Sequence, residues 1–442
     1  MPILEGLFKF LRYPTISAQA SYQEALSACA TWLAQELSAM GFKTSLHGEP
    51  PIVHGYYAGP PGAPTLLFYG HYDVQPPEPL ELWKSAPFEP TMRERAIYAR
   101  GACDDKGQVW AHLMAWRYWH AHSGLPVSLH VVIEGQEETG SETLYEVLRA
   151  QGAAWQADAG IVSDTAFFSE GFPTLTTGLR GLLYAEIRVQ GPARDLHSGS
   201  FGGVVQNPAW ALAMILASLK GADGRVRIPG FYEGVIQPAA SERASWRSLP
   251  ADEAHYRVIT GAPSLWGEVG FSPLERATIR PTLEVHGLYS GYTGQGSKTI
   301  IPSEAFAKIS MRLVPGQNPE AIWQALVAYI HEVAPPGITL QIEKLHEPAP
   351  AFLTPTDSPF YQAASEAVAE AFGQTPIALR EGGSIPVLYA LQEIVKGPIV
   401  LMGFGLPTDQ VHSPNEHFQL RQLWGGIEAA ICFYEKAGQI RV

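Results

Sequence analysis

Between residues 65 and 164 the chain repeats one pattern: an apolar run of strand length, then a segment with helical spacing. TLLFYGHYD (65–73), VSLHVVIEG (127–135) and DAGIVSD (158–164) read as buried strands. GQVWAHLMAWRYWHAH (107–122) and SETLYEVLRAQG (141–152) read as helices, as does the stretch 22–40 before them. The order β-α-β-α-β is that of a parallel sheet sandwiched by helices.

The pattern changes after TLTTGLRG (174–181). LLYAEIRVQ (182–190) alternates apolar and polar residues, as a strand covered on one face does. PAWALAMILASLK (208–220) is a helix with proline in its first turn. Residues 221–284 read as irregular, 306–315 as strand, 319–334 as helix and 338–345 as strand. This is the make-up of an inserted α+β, ferredoxin-like unit with two helices on one face of an antiparallel sheet. A proline-rich stretch (347–359) leads back to helix at 358–373, a short strand at 398–405 and a last helix at 416–438. The expected organisation is a discontinuous α/β catalytic domain with a mostly parallel sheet and flanking helices, over 1–178 and 349–442. A lid and dimerisation domain is inserted at 179–348. A length of 442 residues, about three typical domain lengths, suits more than one domain.

The net charge of −13 speaks against a broad nucleic-acid footprint and against adhesion to anionic membrane. Neither partner is expected. Cys29, Cys103 and Cys432 form no disulfide framework and no C-x-x-C pair, which suits a reducing, cytoplasmic location. The first residues do not read as a signal peptide, and no stretch approaches 18 apolar residues.

Ligands of parallel α/β sheets sit beyond the carboxyl ends of the strands. Here those ends carry His71 and Asp73, then Glu137 and Glu138, then Asp164; the run after the insertion leads to His412, and Asp104-Asp105 precede a helix. Each alone has an ordinary explanation as a cap, a solvated charge or a core histidine. Gathered at one sheet edge, they form a nitrogen and oxygen donor set that suits zinc, with manganese or cobalt as alternatives. Two histidines and three carboxylates exceed one open tetrahedral site and suit two metals sharing a carboxylate and a water. On a strand, residues i and i+2 share a face, so Asp73 can orient the His71 ring. Glu137 and Glu138 diverge in extended chain, leaving one as ligand and the other as base.

HYDVQP (71–76), RGACDDKG (100–107), EGQEETGS (134–141), DLHSGSFGG (195–203), RLVP (312–315), REGGSIP (380–386) and HSPNE (412–416) resemble the dinuclear-zinc metallopeptidase family. Carnosine dipeptidases, cytosolic nonspecific dipeptidase, glutamate carboxypeptidase and succinyl-diaminopimelate desuccinylase belong to that family. REGGSIP and KTIIP (298–302) favour its dipeptidase branch. The resemblance implies His71 and Asp164 on one metal, Glu138 and His412 on the other, and Asp104 bridging them. It implies Glu137 as general base, Asp73 behind His71, and a cis Asp104–Asp105 peptide. His197 would steady the oxyanion in the partner subunit's site. Arg312 would grip the substrate's terminal carboxylate, with Thr299, Ser384 and Gly383 beside it. Gln136 and Cys103 depart from the residues common in relatives, and neither is an assigned ligand.

The expected function is metal-dependent hydrolysis of dipeptides or short peptides, by a water bridging the metals with Glu137 as base, in a homodimer. N-acyl amino-acid deacylation on the same site is the alternative. A non-catalytic metal or peptide-binding protein is a third reading, which the presence of Glu137 with all five ligands opposes.

Overall fold

The computed structural model describes residues 2–441 and divides into two compact units. One runs to Thr177 and resumes over Thr354–Leu379 and from Val387 onward; the other comprises Gly178–Leu353 and Arg380–Pro386. The segment Arg380–Pro386, placed by sequence in the final part of the first unit, thus belongs to the second.

In the first unit the sheet runs in the order Lys43–His47, Ile52–Tyr57, Ser128–Glu134, Thr65–His71, Ala159–Val162, Ile399–Leu401, Thr174–Leu179. The four strands from Ser128–Glu134 to Ile399–Leu401 are parallel, and both flanks are antiparallel. The central strands are enclosed almost end to end, which is why they read as unbroken apolar runs. Helices Gln23–Ala39, Lys106–His122, Pro359–Phe372 and Leu420–Ala437 share one apolar core with the sheet. Trp110 and Trp116 are fully buried in it. An indole removes roughly 200 Å² from water, about 5 kcal/mol each at ~25 cal/mol/Å². His112 lies in the same core, with its ring nitrogens bonded to Ser163 Oγ (2.6 Å) and Tyr434 OH (3.0 Å). It is a satisfied structural histidine.

Two local expectations differ from the fold. The last helix begins at Leu420, because His417–Gln419 is a strand paired with Ala96–Tyr98 and buries Phe418. The hairpin Lys43–His47/Ile52–Tyr57 was not evident, since its first strand is largely exposed and polar.

The second unit holds a four-stranded antiparallel sheet in the order Thr282–Ser290, Glu304–Leu313, Gly181–Gln190, Thr339–Lys344. With helices Pro208–Leu219 and Pro319–Val333 this is a β-α-β-β-α-β arrangement, as expected of a ferredoxin-like unit. Leu183, Ala185, Ile187 and Val189 alternate inward beneath the helices. Both helices start alike: Asn207 and Asn318 cap the first N–H groups, and proline occupies the first turn. The stretch 221–284, read as irregular, instead holds the short helices Ala240–Ser245, Glu253–Thr260 and Pro273–Thr278 and the first residues of the strand Thr282–Ser290, whose register slips between Val285 and Gly287.

Candidate metal centre

His71 ends a central parallel strand and is 1% exposed. Its Nε2 lies 3.1 Å from Asp104 Oδ1 and 3.9 Å from Asp164 Oδ2. His412 Nε2 lies 2.9 Å from Asp104 Oδ2 and 3.1 Å from Glu138 Oε1. The two oxygens of Asp104 therefore face different imidazoles. Two groups of donor atoms converge, His71 with Asp104 and Asp164, and Asp104 with Glu138 and His412. The Asp104–Asp105 peptide is cis, as the resemblance implies.

Asp73 differs from the simple strand-period picture, because the strand stops at His71. His71 Nδ1 is 3.1 Å from the Asp73 carbonyl and 3.4 Å from its Oδ1. The Asp73 carboxylate accepts from the backbone N–H groups of Glu137 (3.2 Å) and Glu138 (3.1 Å). Glu137–Thr139 is a single 3-10 turn rather than extended chain, and Asp73 caps it. One buried carboxylate thus touches both a candidate ligand and the turn carrying Glu137 and Glu138. Gln75 Nε2 donates to Glu138 Oε2 (2.7 Å) and fixes that carboxylate further.

The electrostatics are those of crowded acids. Burial pushes the Asp164 carboxyl well above the usual range, and Asp104 and Asp105 add to it. Burial also pushes Glu137 up to about 7, opposed by His71 and reinforced by Glu138 and Asp104. Hydrogen bonds to Asp104 and then Glu138 raise His412 to about 10. Asp105 is buried and its Oδ2 accepts from the His71 backbone N–H (3.3 Å), while among the described residues its Oδ1 has no hydrogen-bond partner. Two imidazoles and three carboxylates converging without a thiolate fit hard or borderline divalent cations, whose charge offsets this repulsion.

Sequence reasoning missed the residue that holds the Asp104 loop. Glu416 is 1% exposed and accepts from Arg100 Nη1 (2.8 Å), Gly101 N (2.9 Å), Cys103 N (3.0 Å) and Asp104 N (3.1 Å). It lies within HSPNE, four residues after His412, so the motif carried the signal. Cys103 is buried and donates its thiol to Asp409 Oδ2 (3.3 Å).

In the second unit, Arg312 donates to Ser384 Oγ (2.8 Å). An added Cβ at Gly383 meets nothing within 4 Å, so protein packing does not demand glycine there. His197 is exposed and pairs with Ile300, next to Thr299. Its Nδ1 accepts from Gly199 N (3.0 Å), which puts the ring proton on Nε2 and makes that atom a donor.

Fold and donor set define a metal-dependent hydrolase. The sequence profile of peptidase family M20/M25/M40 matches residues 67–436. The Cys-Gly metallodipeptidase dug1 of Schizosaccharomyces pombe is 31% identical, over 97% of this chain and 94% of its own. The human Beta-Ala-His dipeptidase is 30% identical over 88% of this chain and 78% of its own. The M20 family metallo-carboxypeptidase Sso-CP2 from Sulfolobus solfataricus superposes with a TM-score of 0.87 and 31% identity, covering 99% of both chains. The chain belongs to peptidase family M20/M25/M40 and is a metallopeptidase.

Proposed function

We propose that this protein hydrolyses dipeptides and short peptides with two divalent cations, zinc foremost. His71 and Asp164 would hold one ion, Glu138 and His412 the other, and Asp104 both. The observation that carries the reading is Asp104, whose two oxygens face His71 and His412 separately. Bound there, the cations would supply Lewis acidity toward a carbonyl and make water nucleophilic near neutral pH.

Glu137 takes the proton of the attacking water and delivers it to the leaving amine. Asp73 holds the backbone of the turn that carries it. In this reading Arg312, Thr299, Ser384 and Gly383 receive the substrate's terminal carboxylate, the bidentate task to which a guanidinium is suited. His197 donates from Nε2 to the oxyanion in the partner subunit's site. In the same reading the second unit, Gly178–Leu353 with Arg380–Pro386 where the sequence suggests 179–348, serves as the lid and dimerisation domain.

The relatives described above are named as peptidases, which favours peptide hydrolysis over N-acyl amino-acid deacylation. A cytoplasmic location belongs to the same reading, supported by three free cysteines. Among the described residues no helix is long and apolar enough to cross a membrane.

A dipeptide panel beside acetyl- and succinyl-amino acids tests the activity, and deacylation alone would sink the peptidase reading. Glu137→Gln should lower kcat by about 10²–10⁴-fold while the metal content by elemental analysis stays that of the wild type. Full turnover by the loaded variant refutes Glu137 as the base.

A further inference from the structure

A second arginine, Arg180, occupies the environment of Arg312 with no assigned role. It precedes the strand Gly181–Gln190, whose Leu182 pairs with Arg312. Its backbone N–H donates to Gly383 O (2.9 Å) and its Nε to Gly382 O (3.0 Å). Its carbonyl accepts from Ser384 Oγ, the same hydroxyl that receives Arg312 Nη1. Each residue of Gly382-Gly383-Ser384 is thus bonded to Arg180. An added Cβ at Gly382 falls 2.7 Å from Arg180 Nη2 and 2.5 Å from Ala277 O, so glycine is what lets the loop lie on the guanidinium.

The charges are unusual. Arg180 Nη1 reaches the Arg280 carbonyl (3.4 Å), so the hydrogen bonds of Arg180 and Arg312 run to neutral oxygens. Among the described residues neither guanidinium has a carboxylate within ion-pair reach; the nearby Glu284 is bound by Lys220 (2.9 Å). Burial and the charge of Arg312 lower Arg180 to about 10, which leaves it cationic at neutral pH. Two half-buried like charges without a counter-ion are costly unless an anion arrives from outside. The same arrangement elsewhere in this unit is neutralised: Arg380 meets Glu242 through Nε (2.8 Å) and Nη2 (3.1 Å).

We propose that Arg180 is a positioning residue for the substrate's terminal carboxylate, holding the Gly382–Ser384 loop and the Arg312 side chain and adding a second positive charge to that receptor. This rests on the peptidase reading above. Its consequence is selectivity: Arg180 should matter for substrates with a free terminal carboxylate and not for their amides.

The test is steady-state kinetics of the metal-loaded full chain on alanylglycine and alanylglycinamide, for wild type, Arg180→Met and Arg180→Lys. Wild type should prefer the free acid at least 100-fold in kcat/KM. Arg180→Met should raise KM for the acid tenfold or more, change kcat less than threefold, and leave the amide unaffected. Arg180→Lys, which keeps the charge, should recover part of the loss. If Arg180→Met does not fold, Arg180→Gln carries the test: an acid-to-amide preference equal to wild type in that variant overturns the proposal. Equal losses on both substrates in a folded variant also overturn it, as a merely structural effect. A wild type that does not discriminate, or cleaves no dipeptide, overturns the underlying reading instead.

Discussion

Removing the charge of Glu416 should loosen the metal centre from behind without touching a candidate ligand. Its carboxylate receives four donors, two on each oxygen, and three of them are backbone N–H groups of residues 101–104. Burial holds this carboxyl above the usual range, with Asp104 adding to it and Arg100 and the loop N–H groups opposing it only in part. Four donors aimed at one group define the ionised form. Glu416→Gln keeps the shape, loses the charge, and turns an NH₂ group toward donors. It also leaves Arg100, itself 1% exposed, as an unpaired buried cation. Breaking one side of such a pair costs about 3–5 kcal/mol, and an orphaned buried donor about 1–3 kcal/mol. At roughly 2 °C per kcal/mol for a unit of this size, the loss of the ion pair alone should lower the melting temperature by about 6–10 °C. Because the loop carries Asp104, zinc retention at limiting metal should fall by tenfold or more. Calorimetry and elemental analysis after dialysis read both quantities. A shift under 2 °C with wild-type metal content would refute the claim that Glu416 holds the loop.

Chelation should abolish turnover and zinc should restore it; an ion at 100 times its dissociation constant adds about 2.7 kcal/mol, so the melting temperature should fall on chelation too. An unchanged melt would contradict a resident metal among those acids. Acid sensitivity has a separate source in the His54–His130 pair, joined at 3.0 Å with His54 stacked on Trp155. Burial lowers these rings to about 3 and about 4. Below pH 6.5 the unfolded chain binds protons that the folded one does not, so stability present above that pH is lost as pH falls toward 4. His54→Phe should flatten this loss by about 1 kcal/mol or more, read from urea unfolding at pH 7 and pH 5. An unchanged slope would remove the pair from the account.

Local order settled much of this protein. Unbroken apolar runs announced strands enclosed on both faces, because a central parallel strand has no solvated side to record. The acids and histidines at the ends of those runs marked the functional edge, since strand termini are where such a sheet opens. What spacing left hidden were contacts between distant residues. The grip of Glu416 on residues 100–104 spans more than 300 positions. Asp73 turned out to hold the Glu137–Glu138 turn as well as His71, because the chain leaves the strand at His71. Arg180 and Arg380 draw the segment Arg380–Pro386 into the second unit, although its neighbours on both sides belong to the first. Periodicity reports which face of an element is buried. Which carboxylate meets which backbone amide is decided by the folded chain, where a buried charge must find its partner wherever the sequence supplies one.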